Sequence, residues 1–238
     1  MKTPLVILHG ALGCAAQFTE WKAALSAQFE CHTFDFSGHG SRGGDECTFS
    51  IPLFSDDLER FLRTNKLEQP NVLGYSMGGY VALYTALCKE ELVGNIMTLA
   101  TKFEWNPESS KKEAGYLQPQ LMLQKVPQLA QQLQQRHADQ WEKVVTKTAE
   151  MMLSLGTTPL LTPENICEIK NGIKFCVGDK DKMVSVSETA GMFRAGANAE
   201  FCVLPATGHL PETMNLKRIV FEAEEFFLNS QGAPGARG

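Results

Sequence analysis

The sequence predicts a three-layer α/β protein: a parallel sheet of about six strands with helices on both faces. Three observations predict it. Short apolar runs rich in Val, Ile, Leu and Phe recur at residues 5–8, 31–36, 71–75, 93–99, 173–177 and 201–204, and near-continuous runs mark strands covered on both faces. Between them, apolar residues repeat with a helical period, as in Phe54, Leu58, Phe61 and Leu62, or Leu216, Ile219, Val220, Ala223, Phe226 and Phe227. Finally, 238 residues of which 43% are hydrophobic are enough to bury a core without disulfides or a structural metal.

The first strand runs into His9-Gly10-Ala11-Leu12-Gly13, a glycine-flanked turn. Met1-Lys2, a four-residue apolar run and Cys14 imitate a lipoprotein leader, but the run is shorter than a signal peptide's core. No stretch of about 18 apolar residues follows anywhere, so no membrane span is expected.

The second strand leads into Asp35-Phe36-Ser37-Gly38-His39-Gly40-Ser41. Gly38, Gly40 and Gly43, with Asp57 nineteen residues past Gly38, spell a dinucleotide fingerprint. That chemistry needs a helix opening at the third glycine to hold the pyrophosphate. Gly44-Asp45-Glu46-Cys47-Thr48 has no helical period and Pro52 follows, so no nucleotide and no other cofactor is expected.

The third strand delivers the strongest signal, Gly74-Tyr75-Ser76-Met77-Gly78 followed by Gly79 and a helical stretch over 80–87. A G-x-S-x-G at a strand-to-helix junction is a nucleophile elbow, a turn so tight that only glycines fit on either side of the serine. A serine needs a base. Of the five histidines, His209 lies in Thr207-Gly208-His209-Leu210-Pro211-Glu212, just past the last strand, at the sheet end where ligand-contacting groups gather. His137, after a Gln-rich helical stretch, is expected to be solvated, and His9 is expected to brace its loop. A carboxylate must hold the imidazole's other nitrogen, and Asp179 and Asp181 both follow the fifth strand. Asp181 is favoured because its turn is long enough to swing toward His209; Asp179 is the alternative. The oxyanion of a tetrahedral intermediate needs donors, each worth about 3–4 kcal/mol of barrier. The Met77 N–H is one; the second is expected from Ala11, with Leu12 as runner-up.

Between the fourth and fifth strands the rhythm breaks. Residues 103–170 show no strand, only helical patterns punctuated by Pro107, Pro119, Pro127, Pro159 and Pro163. A crossover needs only one helix, so this segment is expected to be a helical cap, with residues 1–102 and 171–230 as the core. Trp105, Met122 and Met151 are expected to offer an apolar substrate surface; the alternative is that they form the cap's own core. The polar, Gly-rich residues 231–238 are expected to be a flexible tail.

Taken together, His9-Gly10-Ala11-Leu12-Gly13, Asp35 to Ser41, Gly74 to Gly79, Gly178…Asp181…Val184 and Gly208-His209…Glu212 resemble, in that order, the α/β-hydrolase superfamily, in its small-esterase, haloperoxidase-like or menaquinone-lyase-like branch. The resemblance implies an α/β-hydrolase fold, a Ser76-Asp181-His209 triad, and a structural role for the Gly-His-Gly-Ser loop. Two departures stand out. Only four residues precede Leu5, where the family carries an N-terminal edge hairpin, and Ser37 replaces the usual proline before Gly-His-Gly.

Lys and Arg total 22 against 27 Asp and Glu, a net charge of −5, which argues against a nucleic-acid surface. The seven cysteines are scattered, with no C-x-x-C pair, which argues against a disulfide framework or a metal site and for a cytoplasmic location. The expected function is a cofactor-independent serine hydrolase of a small-molecule ester or thioester. A lyase or C–C hydrolase acting on a small carboxylate, or a non-catalytic ligand-binding protein, is the alternative. The lyase would want several arginines in the cap, where Arg136 stands alone, with Arg42 and Arg194 expected in solvent. Oligomeric state is not legible.

Overall fold

A computed structural model describes residues 2–229; the expected tail, 231–238, lies outside them. Strands β1 (Thr3–Leu8), β2 (Phe29–Thr33), β3 (Asn71–Tyr75), β4 (Ile96–Leu99), β5 (Ile173–Gly178) and β6 (Ala199–Leu204) form one sheet in the order β2-β1-β3-β4-β5-β6. Every neighbouring pair is parallel. The chain steps outward from β1 to β2 and then reverses to β3, so a crevice opens beyond the carboxyl ends of β1 and β3.

Alternating side chains of the strands feed two cores. Val6, Leu8, Val72, Ile96 and Phe175 pack against helices α2 (Ile51–Asn65), α3 (Met77–Cys88) and α9 (Val186–Ala195). Leu5, Ile7, Leu73, Tyr75, Met97, Leu99 and Leu204 pack on the opposite face against α1 (Thr19–Leu25) and α10 (Leu216–Asn229). Between β4 and β5 lie α4 (Pro107–Gly115), α5 (Pro119–Lys125), α6 (Pro127–His137), α7 (Trp141–Thr157) and α8 (Pro163–Ile166). Each of these except α7 opens with the proline that punctuated the sequence, at a position where its missing N–H costs nothing.

Two strands are shorter than their apolar runs. The second leaves the sheet after Thr33: Phe34 stacks on Phe61 at 4.5 Å, and Phe36 donates its N–H to His9 Nε2 at 3.2 Å instead of to a strand. The fourth begins at Ile96, because Gly94 turns back to donate to the Pro70 carbonyl at 2.9 Å. Gly43 is followed by no helix. Gly40–Arg42 makes one 3-10 turn wrapped on the Asp35 carboxylate, and the next helix starts at Ile51 behind the Ser50 cap. Among the described residues no helix is long and apolar enough to cross a membrane.

Candidate active site

The elbow is built as its residues require. Ser76 sits between β3 and α3 with φ 51° and ψ −118°, a conformation L-residues rarely adopt and one that costs about 1–3 kcal/mol. A Cβ on Gly74 would lie 2.4 Å from the Gly79 Cα, and one on Gly78 would lie 2.5 Å from the Leu8 carbonyl oxygen. The turn is locked from the segment after β4, where Thr101 Oγ1 donates to the Ser76 carbonyl at 3.0 Å.

The structure brings the three predicted side chains together. Ser76 Oγ lies 3.5 Å from His209 Nε2, and His209 Nδ1 lies 2.8 Å from Asp181 Oδ2. The Asp181 side chain is fully buried, and its other oxygen accepts the Met183 and Val184 N–H groups at 2.8 and 2.9 Å. Burial pushes its carboxyl up, but the His209 contact and these two N–H groups outweigh that and hold it below the usual carboxylate range. Asp179 does different work: it accepts the Thr207 N–H at 3.2 Å, pinning the loop that carries His209. Tyr75 pins the same loop, its hydroxyl donating to the His209 carbonyl at 2.9 Å.

Ala11 and Leu12 are the centre of a turn closed by the Gly13 N–H on the Gly10 carbonyl at 3.1 Å, with Leu12 at φ 59°. Ala11 and Met77 both border the cleft that Ser76 lines. Met77 opens α3, so its N–H has no intrahelical acceptor. Trp105, Met151, Met152 and Leu155 form the opposite wall, and Lys102 and Met183 complete the rim. Met122, expected at this surface, is not there: it is 2% exposed and packs with Ala130, Leu133, Trp141 and Val145 in a separate cluster. Trp and Met in this segment therefore divide between cleft wall and local core.

Two further expectations need correction, and one residue went unmarked. His137 is not solvated but 2% exposed; its Nε2–H donates to the Leu12 carbonyl at 2.9 Å while its Nδ1 accepts the Gly40 N–H at 3.0 Å. It thus ties the Ala11–Leu12 turn to α6 and to the glycine loop. Arg42 is half-buried, donating to Asp57 Oδ1 at 3.0 Å and pairing with Asp45 at 2.7 Å. Lys102, which no motif marked, is 9% exposed at the cleft. A lysine three residues past a strand, between Ala100 and Phe103, was the available signal. Among the described residues no group of three or more His, Cys, Asp or Glu is placed to hold a metal.

The architecture has many counterparts. The esterase from Thermogutta terrifontis superposes with a TM-score of 0.79 at 19% identity, over 96% of this chain and 90% of that one. MenH from S. aureus gives 0.75 at 22%, over 97% and 95%. Among curated proteins, the pimeloyl-[acyl-carrier protein] methyl ester esterase of Edwardsiella ictaluri is 34% identical over 103 residues, 42% of this chain and 37% of that protein, so the chain spans well under half the relative's length. A family model described as alpha/beta hydrolase fold matches residues 3–138, more than half of the sequence, and with the sheet order and elbow above it the chain belongs to the alpha/beta-hydrolase family.

Proposed function

We propose that this protein is a cofactor-independent serine hydrolase that cleaves a small carboxylic ester or thioester through Ser76, His209 and Asp181. The observation that carries the reading is the unbroken relay from Ser76 Oγ through His209 to the buried Asp181, 3.5 and 2.8 Å, opening on an apolar cleft. His209 Nε2 takes the proton as Ser76 Oγ attacks the carbonyl carbon, and the imidazolium is stabilised by Asp181. The tetrahedral oxyanion rests on the N–H groups of Ala11 and Met77. Collapse expels the alcohol or thiol with the proton from His209, leaving an acyl group on Ser76, and water activated by the same imidazole releases the acid. The Ser76–His209 distance is long for a hydrogen bond, as is common before substrate closes a site.

In this reading residues 103–170 act as a cap, supplying Trp105, Met151, Met152 and Leu155 as the wall that excludes water from the acyl-enzyme. The seven unpaired cysteines fit a reducing, cytoplasmic setting. The Edwardsiella relative's named activity, methyl-ester cleavage, is of the proposed class.

A fluorophosphonate probe tests the proposal. The wild-type protein is expected to be labelled stoichiometrically and Ser76→Ala not at all, with p-nitrophenyl butyrate hydrolysis lost in parallel. Equal labelling of both proteins, or a wild type that neither reacts nor turns over, would mark the fold as a binding scaffold.

A further inference from the structure

We infer that Lys102 makes this cleft selective for esters that carry a carboxylate. The inference rests on the hydrolase reading for the chemistry at Ser76, but on separate contacts for recognition at Lys102. Lys102 and Lys174 are the two buried lysines among the described residues. Lys174 has a counter-charge, Glu222 at 2.6 Å. Among the described residues Lys102 has no carboxylate within 4.0 Å: its Nζ donates to the Met183 carbonyl at 3.2 Å and lies 5.7 Å from the centre of the Trp105 ring. One carbonyl occupies one of the three N–H donors of an ammonium. Burying such a charge without a counter-ion is unfavourable, which an anionic ligand would offset.

The ligand's shape follows from the rest of the wall. Trp105 lines the same cleft, and its Nε1 is buried with no hydrogen-bond partner among the described residues, a second unspent donor. Around these two donors stand Ile51, Met151, Met152 and Leu155, all apolar. A wall of this kind matches a short hydrocarbon body ending in one carboxylate, whose oxygens take up the free N–H groups of Lys102 and Trp105 while the ester carbonyl reaches Ser76. The single charge separates this from a multiply anionic substrate, which would need more cations than the cleft holds.

Lys102 also touches Met183, whose N–H donates to Asp181, so a purely structural brace is the competing role. A brace would impair all substrates alike, and the selectivity ratio therefore distinguishes the two. We compare kcat/KM for p-nitrophenyl hemisuccinate, hemiglutarate and hemiadipate with methyl-terminated esters of the same chain length, and for acetoxybenzoates with phenyl acetate. Wild-type protein is expected to favour the carboxylate member of at least one series by roughly tenfold or more. Lys102→Met should reduce that ratio roughly 10- to 100-fold, and Lys102→Arg should restore much of it. No carboxylate preference in either series, or a ratio unchanged in Lys102→Met, would overturn the inference while leaving ester hydrolysis standing. Should wild type cleave no ester, the hydrolase reading fails, and titration of glutarate by calorimetry still decides this one. Binding to Ser76→Ala that weakens at least tenfold when Lys102→Met is added supports it; equal or absent binding overturns it.

Discussion

Asp179 and Asp181 stand two positions apart after the same strand, and their partners separate their roles. Asp181 contacts the imidazole and two backbone N–H groups, whereas Asp179 accepts only from the His209 loop. Asp181→Asn would present an amide to His209 Nδ1 and favour the wrong tautomer, so kcat on p-nitrophenyl esters is expected to fall by about 10⁴-fold. Asp179→Asn keeps an oxygen for the Thr207 N–H and should cost less than about tenfold. Comparable losses in the two variants would refute the assignment.

Strand β5 and helix α10 are fastened by a buried ion pair. Lys174 Nζ lies 2.6 Å from Glu222, whose other oxygen accepts from Arg218 Nε at 3.1 Å, and both Lys174 and Glu222 side chains are below 10% exposed. Burial opposes both charges, yet each holds the other ionised: the lysine is raised above its ordinary value and the glutamate lowered below its own. Removing one partner leaves the other without its main counter-charge, with only Glu200 at 4.0 Å left near Lys174 Nζ, so Glu222→Leu is expected to destabilise by about 3 kcal/mol. Replacing both, as Lys174→Met with Glu222→Leu, should recover most of that. Urea denaturation of the three proteins checks it, and a double variant no more stable than the single one would show that the helix is held by something else.

Across the molecule, three buried histidines stitch together parts distant in sequence. His9 donates from Nδ1 to the Gly10 carbonyl at 2.8 Å and accepts the Phe36 N–H at Nε2, His39 donates to the Ser37 carbonyl at 3.2 Å, and His137 joins the Leu12 and Gly40 backbones. His9 and His137 each accept at one nitrogen, so both must be neutral. Burial pushes His9 down to about 4 from its ordinary 6.5, and lowers His39 and His137 as well. Below pH 6.5 the unfolded chain therefore binds protons that the folded chain refuses, and stability falls as pH drops toward 4. His9 alone contributes about 3 kcal/mol to that loss. The urea midpoint is expected to drop between pH 7 and 5, before most carboxylates titrate; a flat midpoint there would contradict neutral burial.

Local pattern was enough to place the six strands, though not all their ends, and the elbow glycines, because backbone sterics and period-2 or helical burial act over a few residues. It misjudged several features that depend on contacts across the chain. The glutamine-rich surroundings of His137 read as solvent because the partners that bury it, Leu12 and Gly40, lie about a hundred positions away. Met122 and Met151 are indistinguishable by composition, and only the packing of α5 against α6 and α7 sends one into a local cluster and leaves the other at the cleft. Lys102 is an ordinary surface residue type until folding leaves it 9% exposed, with its Nζ donating to the Met183 carbonyl. Burial and charge pairing are properties of assembled surfaces, which no short window of residues contains.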